Sequence, residues 1–304
     1  MYDLIIIGGG PAGLTAAIYA IRKRLNVMLL SKDLGGKTNY RLTLPWIEDH
    51  QVIKGLEIVN KFRTELEYLD FARKMESVEK VEKKNGYFAI TTKSGETLES
   101  KAVILASGTM QVRLEVPGEN EYTLKGMKGL CYSAVSYAPL FLDKSAIVIG
   151  DDELALLSAG ELSTVAKEVT VVCASDKMFE TPLGKKLQSA ENVKIMKGCE
   201  ILEVQGDEYA RKLILKDSSG ERKELEADGI FVEKALTPNT NMVKGLVELD
   251  EQERVIIDCG CRTNVPGLFA AGDVTNNHQE QVLIAVGEGA KAALSAYEYL
   301  LPQL

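Results

Sequence analysis

Leu4–Gly13 reads LIIIGGGPAG, and this stretch decides the fold of the chain. Its β-branched first half is typical of a strand that is buried on both faces. A helical stretch and a second apolar run, Val27–Leu30, come next, so the order is strand, glycine turn, helix and strand. Residues Gly8–Gly13 therefore form a G-x-G-x-x-G turn, the pattern that binds a dinucleotide.

Residues Gly8–Gly13 are called the first turn below, and the three glycines of the G-x-G-x-x-G pattern each have a physical role. Gly8 permits the tight turn, and Gly10 lets backbone amides approach a pyrophosphate. Gly13 lets the helix pack closely on the strand. Pro11 and Ala12 lie between these glycines, where the helix N-terminus supplies positive potential. We therefore expect the first turn to hold the diphosphate of a nucleotide cofactor.

The bulk composition limits the classes of function. A chain of 304 residues is long for one hydrophobic core, so two domains are expected. The net charge of -8 argues against a nucleic-acid partner and against docking on an anionic membrane. No apolar run approaches the length of a transmembrane span, and the start MYDLIIIGGG lacks the basic segment of a signal peptide, so we expect neither feature. Five cysteines fit a reducing compartment, so we expect a cytoplasmic protein.

Two further stretches resemble known flavin-binding sequences. Thr263–Val274, TNVPGLFAAGDV, is similar to the second flavin signature of the glutathione- and thioredoxin-reductase superfamily. Ala102–Gly108, AVILASG, resembles the strand at which the chain leaves the flavin domain of those proteins. With the first turn, these signatures occur in the order and at the spacing of the superfamily.

The resemblance implies FAD as the cofactor. Asp273, after Gly272, would accept hydrogen bonds from the ribityl chain, and a helix opening near Gln281 and Val282 would direct its N-terminal amides at the flavin. Ser31 stands where an acidic residue usually holds a ribose, so the ribose contact stays open. The other residues expected at the flavin are Gly8, Gly10, Pro11, Ala12, Gly13, Gly36, Ala106 and Gly108.

The low-molecular-weight thioredoxin reductases are the branch that this chain resembles over essentially its whole length. It ends one helix after the Gly-Asp motif, Gly35-Gly36 matches their GGQL loop, and Thr237–Thr240 matches their S-P-N-T segment. This resemblance implies an α/β fold with two Rossmann-like, three-layer dinucleotide-binding domains and a homodimer. The FAD-binding domain would comprise residues 1–114 and 238–304, and the NAD(P)H-binding-like domain, residues 115–237, would be inserted in it.

The redox dithiol of that family is missing. In the segment Gly129–Pro139, Ser133 and Ser136 occupy the positions of the two redox cysteines. A serine hydroxyl forms neither a disulfide nor a reactive thiolate. A natural and an engineered origin of this pair are both open, and the divergence of neighbouring motifs favours a natural one. The catalytic residues are thus unknown, with Cys131 a weak candidate.

The second glycine turn also departs from the family. Gly150–Ala155, GDDELA, is called the second turn below, and Asp152 replaces its middle glycine. Three carboxylates crowd the start of the following helix, where they would repel an anionic ligand. The segment Val171–Lys177, at the end of the next strand, contains no arginine for a 2′-phosphate. We therefore predict that this domain does not bind NADPH in the ordinary way.

Metal and disulfide sites are not expected. The two histidines, His50 and His278, have no metal-ligand spacing, although His278 precedes the proposed flavin-facing helix closely enough for a role near the ring. Cys259 and Cys261 flank one glycine, and a disulfide between them would be strained, so we predict two unpaired thiols.

These observations leave three hypotheses about function. The first is a flavoprotein oxidoreductase that exchanges electrons with a ferredoxin- or thioredoxin-like protein, or with a bound acceptor, rather than with NADPH. The second is an NAD(P)H-dependent flavin reductase, such as a ferredoxin–NADP reductase or an enzyme of the thioredoxin-disulfide reductase type. The third is a non-catalytic FAD-binding redox sensor or scaffold.

Overall fold

The computed structural model describes residues 1–47, 54–124, 126–277 and 279–304, and divides the chain into two compact units. The first unit comprises Met1–Asn39, Ile53–Met110 and Thr237–Leu304, and the second comprises Tyr40–Val52 and Gln111–Leu236. The sequence places residues 40–52 in the first unit. The structure groups this segment with the second, because its strand Leu42–Thr43 pairs with Met127–Lys128.

The helices and strands follow the alternation predicted around both glycine turns. The helices are α1 Pro11–Arg22, α2 Leu56–Glu67, α3 Glu119–Thr123, α4 Glu153–Ser163, α5 Pro182–Gln188 and α6 Val282–Leu300. The strands are β1 Tyr2–Ile7, β2 Val27–Leu30, β3 Leu42–Thr43, β4 Arg73–Lys74, β5 Val78–Lys83, β6 Phe88–Thr92, β7 Thr97–Leu105, β8 Thr109–Gln111, β9 Met127–Lys128, β10 Leu130–Cys131, β11 Ser145–Ile149, β12 Glu168–Cys173, β13 Val193–Lys197, β14 Glu200–Gly206, β15 Ala210–Lys216, β16 Arg222–Glu226, β17 Gly229–Val232, β18 Leu236–Pro238 and β19 Leu268–Ala270.

The first unit is built on a largely parallel sheet in the order β4-β2-β1-β7-β6-β5, with β19 also paired to β7. Strands β4, β2, β1, β7 and β19 run parallel, so their carboxyl ends lie at one edge. The chain passes from β1 to β2 on one side, whereas β7 lies on the other. The carboxyl edge between β1 and β7 is therefore the topological switch point at which such sheets bind ligands.

The second unit repeats this design with a parallel sheet in the order β10-β17-β11-β12-β13. Its glycine turn lies between β11 and α4, at the carboxyl edge of the sheet. A smaller antiparallel sheet, β14-β15-β16, completes the unit. The chain thus folds as an α/β protein with two Rossmann-like domains, the second inserted in the first.

Apolar side chains on both faces of the first sheet form its core. Strand β1 shows no alternation of apolar and polar residues, because Leu4, Ile5, Ile6 and Ile7 are all buried, as expected for a parallel strand covered on two sides. Helix α6 packs closely on α1. This close approach is possible because Gly289 of α6 has no side chain that would collide with the backbone of Ala12. Among the described helices, none is long and apolar enough to cross a membrane.

Candidate functional sites in the two units

The first turn has the backbone geometry that the sequence predicts. Gly8 has a φ of +113°, and a Cβ there would collide with the carbonyl oxygen of Ala106. A Cβ on Gly13 would collide with the carbonyl oxygen of Gly8, so the helix lies directly against the turn. A Cβ on Gly10 would meet nothing within 4 Å. The two outer glycines hold the chain tight, while Gly10 faces open space.

The start of α1 has no side chain that caps it. Gly10 is its N-cap, Pro11 is the first helical residue, and within the described residues the first helical turn has neither a capping side chain nor an acidic residue. The amide groups of the first turn of a helix need partners from outside the helix. Together with the helix dipole, these amides favour an anion such as a diphosphate.

The loop after β2 closes over the first turn. A Cβ on Gly36 would lie 3.1 Å from the Cα of Gly10, and the amide of Gly36 donates to Asp33 Oδ1 at 2.9 Å. The hydroxyl of Ser31, which is 9% exposed, donates to the carbonyl oxygen of Asp33 at 2.6 Å. Asp33 therefore shapes this loop, and Ser31 is the side chain that faces Gly9.

The remaining predicted flavin residues of the first unit converge on the same edge of the sheet. Gly272 follows β19, and a Cβ on it would lie 3.1 Å from the Cβ of Ala12. Gly108 follows β7, and α6 begins at Val282 with Gln281 as its N-cap, as the sequence predicts. The structure therefore brings together around the first turn the residue set Gly8, Gly10, Pro11, Ala12, Gly13, Ser31, Gly36, Ala106 and Gly272, with Asp273 next to Gly272 in the chain.

A cluster of charged side chains lies at this edge, and we call Lys37, Asp273, Glu280 and Arg254 the charge cluster. Lys37 Nζ lies 2.6 Å from Asp273 Oδ2 and 2.6 Å from Glu280 Oε2. Arg254 Nη2 lies 3.2 Å from Glu280 Oε1. Burial by itself would lower the pKa of Lys37, but the negative charges of Asp273 and Glu280 outweigh it and raise that pKa. Lys37 is therefore held as a cation between two carboxylates.

The second turn is closed by its own carboxylates. Asp152 is the N-cap of α4, and its Oδ1 accepts hydrogen bonds from the amides of Leu154 at 3.0 Å and Ala155 at 3.3 Å. The carboxylate of Asp151 accepts from the amides of Ala174, at 2.6 Å, and Ser175, at 3.0 Å. Two of these amides lie at the start of α4 and two lie after β12, and all four have a carboxylate of the second turn as their partner.

Two serines take the place of the expected cysteine pair in the second unit. The Oγ atoms of Ser133 and Ser136 lie 3.1 Å apart and share a hydrogen bond. The amide of Ala134, between them, donates to Glu233 Oε1 at 2.5 Å. Burial raises the pKa of Glu233 to about 7, and the residue is 1% exposed. Through this hydrogen bond, Glu233 holds the backbone between Ser133 and Ser136 in place.

Comparison with known proteins identifies the family. The model of the family described as pyridine nucleotide-disulphide oxidoreductase matches residues 2–289. The chain belongs to the pyridine nucleotide-disulphide oxidoreductase family. It is 36% identical to an alkyl hydroperoxide reductase subunit of Staphylococcus aureus over 99% of its own length. It spans 59% of that relative. The corresponding protein of Pseudomonas aeruginosa is 34% identical over 99% of this chain, which spans 58% of it.

Solved structures place the chain within the same family. A thioredoxin reductase from Streptococcus pyogenes superposes with a TM-score of 0.88 and 32% identity, covering 99% of each chain. A thioredoxin reductase from Giardia duodenalis gives a TM-score of 0.85 and 29% identity, also covering 99% of each. These matches confirm the resemblance to low-molecular-weight thioredoxin reductases that the sequence motifs indicate.

The cysteines of this family member are free thiols. Burial raises the pKa of Cys131 to about 12 and that of Cys261 to about 12, which suppresses thiolate formation in both. Cys259 is exposed and, like Cys261, carries a free thiol. Among the described residues, no group of three potential ligands could hold a metal ion. His50 and His278 lie outside the described residues.

Three members of the charge cluster, Lys37, Glu280 and Arg254, are not among the site residues that the sequence predicts, whereas Asp273 is. A signal for Lys37 is present, because it directly follows Gly35-Gly36, where the family loop reads GGQL. Arg254 carries no local signal, since the fold brings it to Glu280 from a separate segment.

Proposed function

We propose that this chain is an FAD-binding oxidoreductase whose first unit holds the cofactor. The observation that carries the proposal is the first turn, with its tight outer glycines, open Gly10 and uncapped helix at the switch point of the sheet. Such a cradle suits a diphosphate, and a bound flavin would supply the capacity to take up and release electrons. The family match supports the same cofactor.

Different residues at this edge of the sheet would contact different parts of the FAD molecule. The amides at the start of α1, beside Gly10, would hold the pyrophosphate, and Ser31 would face a ribose. Asp273 would accept hydrogen bonds from ribityl hydroxyls, since a carboxylate accepts at both oxygens. The start of α6, at Gln281 and Val282, would direct its amides at the flavin ring. The groove would be lined by Gly36, Ala106 and Gly108.

Purification tests the cofactor directly. We expect a yellow protein with one FAD per chain. Asp273→Ala should weaken FAD retention by about 1–3 kcal/mol, because an acceptor for hydroxyl groups is lost from a partly buried site. FAD release is measured by the rise of flavin fluorescence on dilution. A colourless wild-type protein, or a variant with unchanged FAD affinity, would contradict the assignment.

We propose further that the electron donor is a protein, such as a ferredoxin- or thioredoxin-like partner, or that electrons pass to a bound acceptor. The support is the second turn, where Asp151 and Asp152 already occupy the amides that a nucleotide phosphate would need. The domain of residues 115–237 would then keep the fold of an NAD(P)H-binding domain without its standard site.

The alkyl hydroperoxide reductase relatives favour a second candidate. At 36% identity over 99% of the chain, they support an NAD(P)H-dependent reductase that serves a disulfide or peroxide-reducing partner. Anaerobic titration separates the candidates. Bleaching of the flavin by NADPH or NADH selects this second function, bleaching by reduced ferredoxin alone selects the first, and bleaching by neither selects a redox sensor or scaffold.

The serine pair offers a separate experiment on the disulfide step. We expect no turnover of thioredoxin or of an aromatic disulfide through Ser133 and Ser136, even with chemically reduced flavin, because a hydroxyl forms no disulfide. In the double variant S133C/S136C, the short distance between the two positions should permit a disulfide, which mass spectrometry would detect. Reoxidation of reduced flavin by that disulfide would show that the segment reaches the cofactor, and an inert disulfide would show that it does not.

The assembly and compartment are also proposed. We expect a homodimer, as in the thioredoxin reductases that the chain resembles, and residence in the cytoplasm. Light scattering of the FAD-loaded protein measures the first, and fractionation of cells that express the intact gene product measures the second.

A further inference from the structure

The ammonium group of Lys37 has an oxygen partner for each of its three N–H donors. Its Nζ reaches Asp273 Oδ2 and Glu280 Oε2, each at 2.6 Å, and Thr109 Oγ1 at 2.9 Å. The hydroxyl of Thr109 in turn donates to Glu280 Oε2 at 3.3 Å. Because an ammonium group has three N–H donors, this arrangement satisfies all of them. The side chain is thus held in one place, although 34% of its surface is exposed.

The position of Lys37 is set by the same elements that form the proposed flavin groove. Thr109 follows the carboxyl end of β7, Asp273 follows β19, and Glu280 directly precedes the N-cap of α6. Lys37 itself follows Gly36, whose backbone lies against Gly10 in the first turn. The ammonium group therefore lies at the carboxyl edge of the parallel strands, where this class of sheet binds its ligand.

Lys37 determines the net charge of the charge cluster. Asp273 and Glu280 contribute two negative charges, and Lys37 and Arg254 contribute two positive ones. The cluster is therefore neutral as it stands. Loss of Lys37 would leave a net charge of −1 beside the groove. Partly buried charges are poorly screened by solvent, so a cofactor in the groove would sense that change.

We propose that Lys37 sets the reduction potential of the bound flavin by cancelling the one carboxylate charge that Arg254 leaves uncompensated in the charge cluster, an inference that rests on the proposed FAD site. A flavin that takes up two electrons and one proton gains one negative charge. Without Lys37, the net charge of −1 in the cluster would oppose that gain, and the ammonium group removes the opposition. Lys37 would thus act on the reduction potential of the flavin through its charge, and it would have no role in substrate binding.

The test is the midpoint potential of the FAD-loaded protein, measured by reduction with dithionite in the presence of a reference dye. Lys37→Gln should shift the equilibrium at least tenfold towards oxidised flavin, which for a two-electron couple is about 30 mV lower. Lys37→Arg keeps the charge and should stay near the wild-type value. Glu280→Gln should shift the equilibrium in the opposite direction by a similar factor.

The double variant K37Q/E280Q gives the sharpest outcome. It restores a neutral cluster with Arg254 and Asp273 alone, so its potential should return to within about threefold of the wild-type equilibrium. Equal potentials in wild type, K37Q and E280Q would overturn the inference and leave Lys37 with a purely structural role. Failure of the double variant to recover would overturn it as well. Wild-type protein without FAD would instead show that the proposed cofactor site is wrong.

Discussion

The first and second turns share the order strand, turn and helix, but they differ in whether side chains bond the amides at the start of the helix. In the first, the N-cap of the helix is Gly10, and the described first helical turn has no acidic residue. In the second, the N-cap is Asp152, which bonds two helix amides, and Asp151 bonds two more after the next strand. The amides that make an anion site are open in one unit and used internally in the other.

The difference between the two turns lies in the residue at the N-cap, while the first glycine is common to both. Both turns retain the first glycine, since a Cβ on Gly8 or on Gly150 would collide with a backbone carbonyl of a neighbouring segment. That glycine is required by packing and is therefore kept in both units. The glycine at the N-cap is not required by packing, since a Cβ on Gly10 would meet nothing within 4 Å, and only the first turn has it.

The largest expected effect comes from converting the first turn into the second. Gly10→Asp should lower FAD affinity at least 100-fold, about 3 kcal/mol, because the new carboxylate would bond the helix amides and repel the pyrophosphate. The fold should persist, since a Cβ at this position meets nothing and aspartate is a good N-cap. FAD affinity is measured by fluorescence and folding by circular dichroism.

Gly10→Ala is the matched control for the added side chain without its charge. We expect it to weaken FAD binding much less than the aspartate does. Equal losses in both variants would mean that space rather than charge governs the site, and retention of FAD by Gly10→Asp would remove the first turn from the proposed site.

The reverse conversion should have a smaller effect than Gly10→Asp. In the double variant D151S/D152G, four backbone amides lose their carboxylate partners, so the second unit should bind NADPH about tenfold more tightly than wild type does. Loss of the aspartate cap to glycine costs a few tenths of a kcal/mol, so α4 should survive. Calorimetric titration of the FAD-loaded protein measures the affinity. No gain would show that residues outside the turn also exclude the nucleotide.

A separate effect concerns the pH dependence of folding stability and Glu233, the buried acid whose pKa is raised in part by the charge of Asp152 in the second turn. Burial, with a contribution from the charge of Asp152, raises the pKa of Glu233 to about 7 from an ordinary value of 4.5. Because the folded-state pKa is the higher one, the stability contribution of Glu233 is complete below about pH 4.5 and is lost as the pH rises through 7. We expect the free energy of unfolding to fall by about 2 kcal/mol between pH 5 and 8.

Glu233→Gln should flatten that pH dependence, since the amide keeps an acceptor for Ala134 and cannot ionise. Glu153→Gln, at an exposed position in the same region, serves as the control and should keep the wild-type slope. Denaturant unfolding at several pH values measures both variants. An unchanged slope in Glu233→Gln would place the titrating group elsewhere.

Particular residues show how far the sequence predicts the candidate sites. The β-branched run before Gly8 and the glycine spacing predict the first turn, because both are local requirements of one strand–turn–helix unit. The start of α6 at Val282 is likewise a local signal. The charge cluster is not local, since Lys37, Arg254 and Glu280 come from three separate segments, and a sequence pattern carries no information about which of them meet.

The α/β class, both glycine turns, the family and the serine pair at positions 133 and 136 could be predicted or read from the sequence, because each depends on residue types at fixed short spacing. The hydrogen-bond partners of the charged groups depend on the tertiary structure. Only folding brings Asp151 to the amides after β12 and Lys37 between Asp273 and Glu280. A carboxylate or ammonium group forms hydrogen bonds and ion pairs only with groups within a few ångströms, and the fold sets those distances.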